Sequence, residues 1–242
     1  MKNKNYKNLI IKILLLIIGI LYILFLYLDC SNKIIFISTD NIKFICIILC
    51  FIIALLTGKN ALNKKDLFLL QIGLFFTVIA DYFFLIKHKY TLGVLSFCIV
   101  QIIYSIRHDI QKKDVTIRNY IIILLLVFFS YLIINTFIIK IDLLFVVGFY
   151  YSIALITSVG KAIKARKNNL YPYPNKHMIA WGIILFLLCD INVGLANITK
   201  VVNLSQSLLK TFLDKSFLLI WLFYLPSQVL LALSGYKYFH KF

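Results

Sequence analysis

The chain has 242 residues, of which 62% are hydrophobic and 14% are charged, and its mean hydropathy is +0.94. A soluble domain is about half apolar and about a quarter charged, and a chain of this size cannot hide the excess in a larger core. The composition therefore excludes a soluble protein and indicates one whose solvent is lipid. The net charge of +17 does not indicate nucleic acid binding, because the basic residues lie in short clusters between apolar runs, as membrane topology requires.

Apolar runs long enough to cross a bilayer recur along the whole chain. A transmembrane helix needs about 20 apolar residues, and the connections between the runs are too short for inserted domains. The sequence predicts an all-α fold, a polytopic membrane bundle of about eight transmembrane helices forming a single integral membrane domain over residues 1–242. The predicted spans are Leu9–Leu28, Asn41–Thr57, Leu67–Ile86, Thr91–Ile106, Arg118–Ile139, Leu143–Ile163, His177–Asn197 and Ser216–Tyr236.

The distribution of Lys and Arg predicts the orientation of the bundle. With eight spans both termini lie on the same side, and that side carries 18 of the 26 basic residues, whereas the other carries 8. Basic residues are retained in the cytoplasm. We therefore expect a multi-pass protein of the cell membrane with cytoplasmic N- and C-termini.

The two halves of the chain share a pattern. The third span of the first half contains a Gly, seven mostly apolar residues and an Asp, at Gly73 and Asp81, and the third span of the second half repeats this spacing at Gly182 and Asp190. An internal duplication into halves 1–114 and 115–242 would explain the repetition. The alternative is chance similarity between apolar segments of low complexity.

Two acidic residues stand inside predicted spans. The chain has no Glu, and of its nine Asp residues only Asp81 and Asp190 lie well within an apolar run, roughly 8 and 10 Å below the same membrane boundary. A carboxylate at the centre of a membrane helix costs about 2.5–3.5 kcal/mol. No Lys or Arg stands within the span interiors to neutralise the pair, so we expect at least one of the two to be protonated near neutral pH.

A protonated carboxyl beside an ionised one can act as general acid and general base, which makes Asp81 and Asp190 the candidate catalytic residues. The alternative is that the two acids join helices by hydrogen bonds. Further polar residues on nearby turns are candidates for binding a substrate, with helix packing as the competing role. They are Gln101, Tyr104, Asn197, Tyr224 and Gln228.

The five cysteines do not form a metal-ligand pattern. Cys46 and Cys50 lie one helical turn apart, but no His or carboxylate accompanies them. Small apolar packing is the expected role of these side chains. The sequence therefore predicts neither a metal site nor another cofactor.

The motifs around the two acids resemble those of a known family. The segments that carry the resemblance are Ala80-Asp81-Tyr-Phe-Phe-Leu85, Leu92-Gly93-Val-Leu-Ser96-Phe97, Gln101-Ile-Ile-Tyr104, Leu188-Cys189-Asp190 and Phe223-Tyr224-Leu-Pro-Ser-Gln228. Together they are similar to the YhhN family, over roughly Gly73 to Gly235. Ala80 and Cys189 replace the Gly or Ser that usually precedes each Asp, and Gln101 stands where many members carry a His.

The resemblance implies an activity. Members of the YhhN family include lysoplasmalogenases, which hydrolyse the vinyl ether of a lysoplasmalogen to a fatty aldehyde and a glycerophospho-base. The implied substrate is thus a lipid of the surrounding bilayer, with no nucleic acid and no obligate protein partner. Two other functions stay open from the residues alone: a small-solute or proton-coupled transporter, and a membrane protein that binds lipid without turnover.

Overall fold

The computed structural model describes residues 2–31, 38–198 and 206–238. Within these ranges eight α-helices are long and apolar enough to cross a membrane, which confirms the predicted all-α polytopic bundle. The helices are α1 Lys2–Ser31, α2 Thr39–Thr57, α3 Lys64–Asp81, α4 Tyr90–His108, α5 Lys113–Phe137, α6 Leu143–Lys167, α7 Asn175–Ile198 and α8 Gln206–Leu233.

Polar side chains start several of these helices where the predicted spans begin. The Ser38 hydroxyl accepts a hydrogen bond from the Asn41 backbone N–H at 3.3 Å, and Asn63 accepts one from Lys65 at 2.9 Å. Asp142 does the same for Leu144 at 2.8 Å. Each cap satisfies a backbone donor that has no partner within the helix, so the helix start is set by a polar residue at the edge of an apolar run.

Both ends of the chain lie at one end of the bundle, called here the basic end. The Tyr236 hydroxyl donates to Asn8 at 2.5 Å, and the Leu62 backbone N–H donates to the Gly235 carbonyl at 3.0 Å. These contacts join the start of α1, the α2–α3 connection and the end of α8. Within the described residues the start of α1 and the segment after α8 therefore share a side, as an even number of spans requires; that this side is cytoplasmic stays a prediction.

The central helices pack both against helices adjacent in sequence and against helices of the other half of the chain. α3 packs along α4, α7 along α8, α4 against α6, and α2 against α8. α5 lies at the periphery, where Thr116 and Tyr120 are its only buried residues. The division into repeated halves stays a prediction.

Two glycines allow neighbouring helices to approach closely. A Cβ on Gly73 would lie 2.5 Å from the ring of Tyr104, and a Cβ on Gly182 would lie 2.9 Å from Leu231. Both distances are shorter than carbon atoms tolerate. The glycines therefore set the α3–α4 and α7–α8 spacing, in keeping with the small residues that membrane helix interfaces favour.

We expect Gly73→Ala to lower stability by about 1–3 kcal/mol, because the buried Tyr104 ring cannot move aside without repacking. The matched control is Gly160→Ala in α6, where a new Cβ meets no atom within 4 Å. That substitution should be neutral or stabilise by about 0.5–1 kcal/mol. Thermal unfolding of the two purified variants measures the difference, and equal stabilities would contradict the proposed close contact.

Pro226 interrupts the hydrogen bonding of α8 without ending the helix. Proline has no N–H, so the carbonyl four residues earlier, that of Leu222, loses its helical partner. The Tyr22 hydroxyl of α1 donates to this carbonyl at 3.1 Å. One turn from the proline an inter-helix bond thus replaces the lost helical one, as the membrane interior requires.

A buried ion pair closes the basic end between α3 and α4. Arg107 donates from Nε and Nη2 to the two oxygens of Asp66 at 2.8 and 2.9 Å. The Tyr171 hydroxyl donates to Asp66 at 2.8 Å and to the Arg107 carbonyl at 2.9 Å. Burial raises the pKa of Tyr171, so its hydroxyl keeps the proton that it donates. The three residues link α3, α4 and the α6–α7 connection.

Candidate active site

Asp81 is the last residue of α3 and is only 4% exposed. Directly after it the chain forms a π-helical segment, Tyr82–Ile86, before α4 begins. Single π-turns within helices are rare and occur frequently at functional sites. The buried acid therefore lies where the helix geometry changes, near the end of the bundle opposite to the basic end.

Each acid accepts a short hydrogen bond from a tyrosine of another helix. The Tyr224 hydroxyl of α8 donates to Asp81 Oδ2 at 2.6 Å, and the Tyr151 hydroxyl of α6 donates to Asp190 Oδ2 at 2.5 Å. Both bonds are at the short end of the range for hydroxyl donors. Four different helices thus converge on the two acids, and each carboxyl group is oriented by a neutral donor.

The two carboxyl groups belong to one electrostatic environment. Asp81 and Asp190 are close enough for their charges to interact, and the Tyr224 hydroxyl interacts with both. Among the described residues neither acid forms an ion pair with a Lys, Arg or His. The structure therefore brings together the two acids that the sequence singles out, and it gives them tyrosines rather than cations as partners.

Aromatic rings surround the two tyrosines. The ring of Phe97 lies 6.1 Å from that of Tyr151 and 6.2 Å from that of Tyr224. Phe186 lies 5.5 Å from Phe97 and 5.6 Å from Tyr224, edge to face in both cases. Ring faces attract positive charge, so this surrounding can stabilise a cation that forms next to the acids while excluding bulk water.

The two glutamines lie one turn further into the bundle. Gln101 follows Phe97 by four residues in α4, and Gln228 follows Tyr224 by four residues in α8. Both helices run toward the basic end. The two glutamines therefore lie at similar depth, one turn closer to the basic end than the contact between the Phe97 and Tyr224 rings. Both side chains are fully buried, and none of their polar atoms has a hydrogen-bond partner among the described residues. Gln101 lies near enough to the Tyr151 hydroxyl to interact with it.

Buried amides without partners are rare in native proteins, where each one asks for an explanation such as water or a ligand. An amide both donates and accepts, so the two glutamines can hold a water molecule or a polar group of a substrate beside the acids. Tyr104 lies on the same face of α4 as Gln101, fully buried against Gly73. Its hydroxyl also has no hydrogen-bond partner in the described part of the chain.

Asn197 lies about two turns beyond Asp190 on α7. It is exposed near the end of α7, and its amide donates to the Val193 carbonyl of its own helix at 3.0 Å. Its predicted contact with substrate stays a prediction.

Tyr151 and Phe97 belong to the site but were not among the sequence-based candidates. The signal for Tyr151 is weak: it is one of two adjacent tyrosines in the middle of α6, and only one of them faces an acid. Tyr150 instead donates to the Tyr120 carbonyl at 3.3 Å. Phe97 ends the Leu92–Phe97 motif that carries the family resemblance, but that motif alone assigns it no role beside the acids.

Fold and site together define a class: a polytopic helical membrane protein with a pair of tyrosine-bonded carboxyl groups in an aromatic surrounding. Within this class the chain belongs to the YhhN family, whose family model matches residues 40–235. That range covers α2 to α8 and every residue of the site described above. Searches among curated proteins and among solved structures returned no match.

The two tyrosines can be tested against their neighbour Tyr150. Removing a donor to a charged group costs about 1.5–3 kcal/mol, so Tyr224→Phe and Tyr151→Phe should each lower turnover roughly 10–100-fold if the acids are catalytic. Tyr150→Phe removes a hydroxyl from the same helix that does not touch either acid, and it should keep near-normal turnover. Equal activities of Tyr151→Phe and Tyr150→Phe would show that the bond to Asp190 has no catalytic role.

Proposed function

We propose that the protein is a membrane-embedded hydrolase that cleaves the vinyl ether bond of lysoplasmalogen-type lysolipids, releasing a fatty aldehyde and a glycerophospho-base. The observation that carries the proposal is the pair of interacting carboxyl groups, each bonded to a tyrosine hydroxyl, within an apolar bundle. Membership of the YhhN family supports the same class of reaction.

The first step of vinyl ether hydrolysis is protonation by an acid, and water adds only in the second step. One carboxyl group donates its proton to the alkenyl carbon remote from the ether oxygen, which leaves an oxocarbenium ion. Water adds to the carbon attached to oxygen and releases a proton, which restores the carboxyl group. The hemiacetal then breaks its bond to the glycerol oxygen, giving the aldehyde and a free hydroxyl. One water molecule is consumed, and no metal or redox cofactor takes part in this sequence.

The residues around the acids suit each step. The second carboxylate stabilises the cation or activates the attacking water, as paired carboxylates do in glycoside hydrolysis. The rings of Phe97, Phe186 and Tyr224 add an electron-rich surrounding. Gln101 and Gln228, with amide groups that have no other partner in the described chain, can orient the water.

The depth of the acids also fits a lysolipid. Asp81 is followed by only the five-residue π-helical segment before its span ends, so we infer that it lies shallowly below the boundary. A lysolipid in the bilayer holds its vinyl ether just beneath the glycerol, at a comparable depth. We further propose that the basic end faces the cytoplasm of a cell membrane, as the distribution of Lys and Arg predicts.

The decisive test compares two substrates on one preparation. Purified protein in detergent is given a vinyl-ether lysolipid and the matching ester lysolipid, and aldehyde and fatty acid are measured. Aldehyde release from the vinyl ether, without fatty acid release from the ester, would establish the activity. Absent or equal hydrolysis of the two would refute it, and uptake driven by a gradient in vesicles without hydrolysis would favour a transporter.

A further inference from the structure

A lysine is buried between two acids at the end of the bundle opposite to the basic end. Lys43, in the second turn of α2, is 7% exposed. Its Nζ lies 2.9 Å from Asp29 Oδ2 and 3.8 Å from Asp40 Oδ1. One ammonium group thus faces two carboxyl groups.

Two aromatic rings complete the surroundings of this lysine. Nζ lies 5.1 Å from the centroid of the Trp221 ring and 5.8 Å from that of Phe25. The two rings meet edge to face, with centroids 5.6 Å apart. Aromatic corners backed by carboxylates are the arrangement that recognises ammonium groups of ligands. The Lys43 ammonium occupies this corner, so a ligand's ammonium would have to bind beside it, at the exposed side of Asp40.

This group, Lys43 with Asp29, Asp40, Phe25 and Trp221, is called here the outer charge cluster, and it is directly connected to the candidate active site. The Trp221 ring lies 5.3 Å from the ring of Tyr224, whose hydroxyl donates to Asp81. On α2, Lys43 precedes Cys50 by seven residues, which is about 10 Å along the helix, and the Cys50 thiol is close enough to Asp81 to interact with it.

The cluster is also open to the membrane boundary. The Asp40 side chain is 44% exposed and that of Asp29 is 25% exposed, whereas Asp81 is buried. A lysolipid with its ether at Asp81 would place its glycerol and headgroup along the same direction, toward the cluster. The spacing of about two helical turns along α2 is comparable to the length of a glycerol with its phosphate.

We propose that the outer charge cluster is the headgroup subsite of the protein and takes a zwitterionic phosphate–ammonium headgroup. Lys43 binds the phosphate as a charged donor, and Asp29 and Asp40, with the Trp221 ring, bind the ammonium. This inference rests on the proposed function for the position of the ether, but the binding it describes does not require turnover. Trp221 then serves as the wall shared by the headgroup and the Tyr224–Asp81 pair.

The first experiment separates headgroup recognition from structural support. KM and kcat are measured for a vinyl-ether lysophosphatidylethanolamine and for a 1-alkenylglycerol that lacks the phosphate. Lys43→Gln should raise KM for the phospholipid roughly tenfold or more, leave its kcat near normal, and leave both constants for the alkenylglycerol unchanged. Lys43→Arg should retain most of the affinity. The matched control is Lys161→Gln, which alters the Lys161–Asp109 pair at the basic end. This variant should leave KM and kcat for both substrates unchanged.

A second variant tests the ammonium half of the subsite. Two vinyl-ether lysolipids are compared, one with a phosphoethanolamine headgroup and one with a phosphate alone, which has no ammonium. Asp40→Asn should reduce the preference for the first over the second. A purely structural role for the Lys43–Asp40 contact would affect both substrates equally. Such an equal effect, or a loss of alkenylglycerol turnover in Lys43→Gln, would overturn the subsite.

Binding without turnover distinguishes failure of the subsite from failure of the proposed function. A 1-O-alkyl lysophosphatidylethanolamine, which has no vinyl ether to hydrolyse, is titrated against the wild-type protein and Lys43→Gln. Weaker binding by the variant supports the subsite even if the wild type releases no aldehyde. Equal binding by the two proteins overturns the subsite even if aldehyde release is observed.

Discussion

Asp81→Asn and Asp190→Asn are each expected to lower aldehyde release from a vinyl-ether lysolipid by about 10²–10⁴-fold, the usual contribution of a general acid or base. An amide has nearly the shape of the carboxyl group and can still accept the bond from Tyr224 or Tyr151, so folding should be preserved. It cannot give a proton to carbon or carry the charge that stabilises an oxocarbenium ion. The loss should therefore appear in kcat, and thermal unfolding should remain near that of the wild type.

Asp114→Asn is the control for this pair, because Asp114 is exposed in the first turn of α5 and should keep full activity. The double variant Asp81→Asn/Asp190→Asn should release aldehyde only slightly more slowly than the less active of the two single variants. The reason is that the effects of residues acting as a unit are strongly non-additive. If the single variants lose stability while the remaining folded protein turns over normally, the acids join helices and do not catalyse.

Arg107→Ala is expected to give the largest loss of stability. It removes two bonds of 2.8 and 2.9 Å from Asp66 and leaves that carboxylate buried with Tyr171 as its remaining partner among the described residues. Removing one partner of a buried pair costs about 3–5 kcal/mol. We expect a corresponding fall in the free energy of unfolding, measured by denaturant or thermal unfolding in detergent.

Two further substitutions should cause smaller losses of stability than Arg107→Ala and serve as comparisons. Tyr171→Phe keeps the ion pair and removes one hydroxyl, so it should cost about 0.5–1.5 kcal/mol. Arg118→Ala removes an exposed arginine of α5 and should be within about 0.5 kcal/mol of the wild type. Because the ion pair lies at the basic end, folded Arg107→Ala should retain its kcat. A stability equal to that of Arg118→Ala would show that the buried pair contributes nothing.

Helix number and fold class could be predicted from the sequence because they are local properties of a membrane chain. In lipid every backbone donor and acceptor must be satisfied within the segment, so each apolar run of about 20 residues becomes a helix. The caps at Ser38, Asn63 and Asp142 are likewise local. The predicted spans therefore needed no knowledge of how the helices pack.

The two acids could be recognised for the same reason: an ionisable residue within an apolar run is conspicuous whatever surrounds it. Their hydrogen-bond partners could not: Tyr224 was a candidate for substrate binding rather than for a bond to Asp81, and Tyr151 was not a candidate. Tyr224 is 143 residues from Asp81, and Tyr151 is 39 residues from Asp190. The outer charge cluster likewise joins Lys43 of α2 to Trp221 of α8.

By itself the sequence determined the membrane class, the eight helices and the two acids at comparable depth, because each follows from where polar residues interrupt hydrocarbon-like runs. Only the tertiary structure decided which tyrosines bond to the acids and that Asn197 stays on the surface of α7. The physical reason is that lipid and helix interior are both apolar. Hydrophobic periodicity, which reveals the buried face of a soluble helix, carries little information about the rotation of a helix in a bilayer.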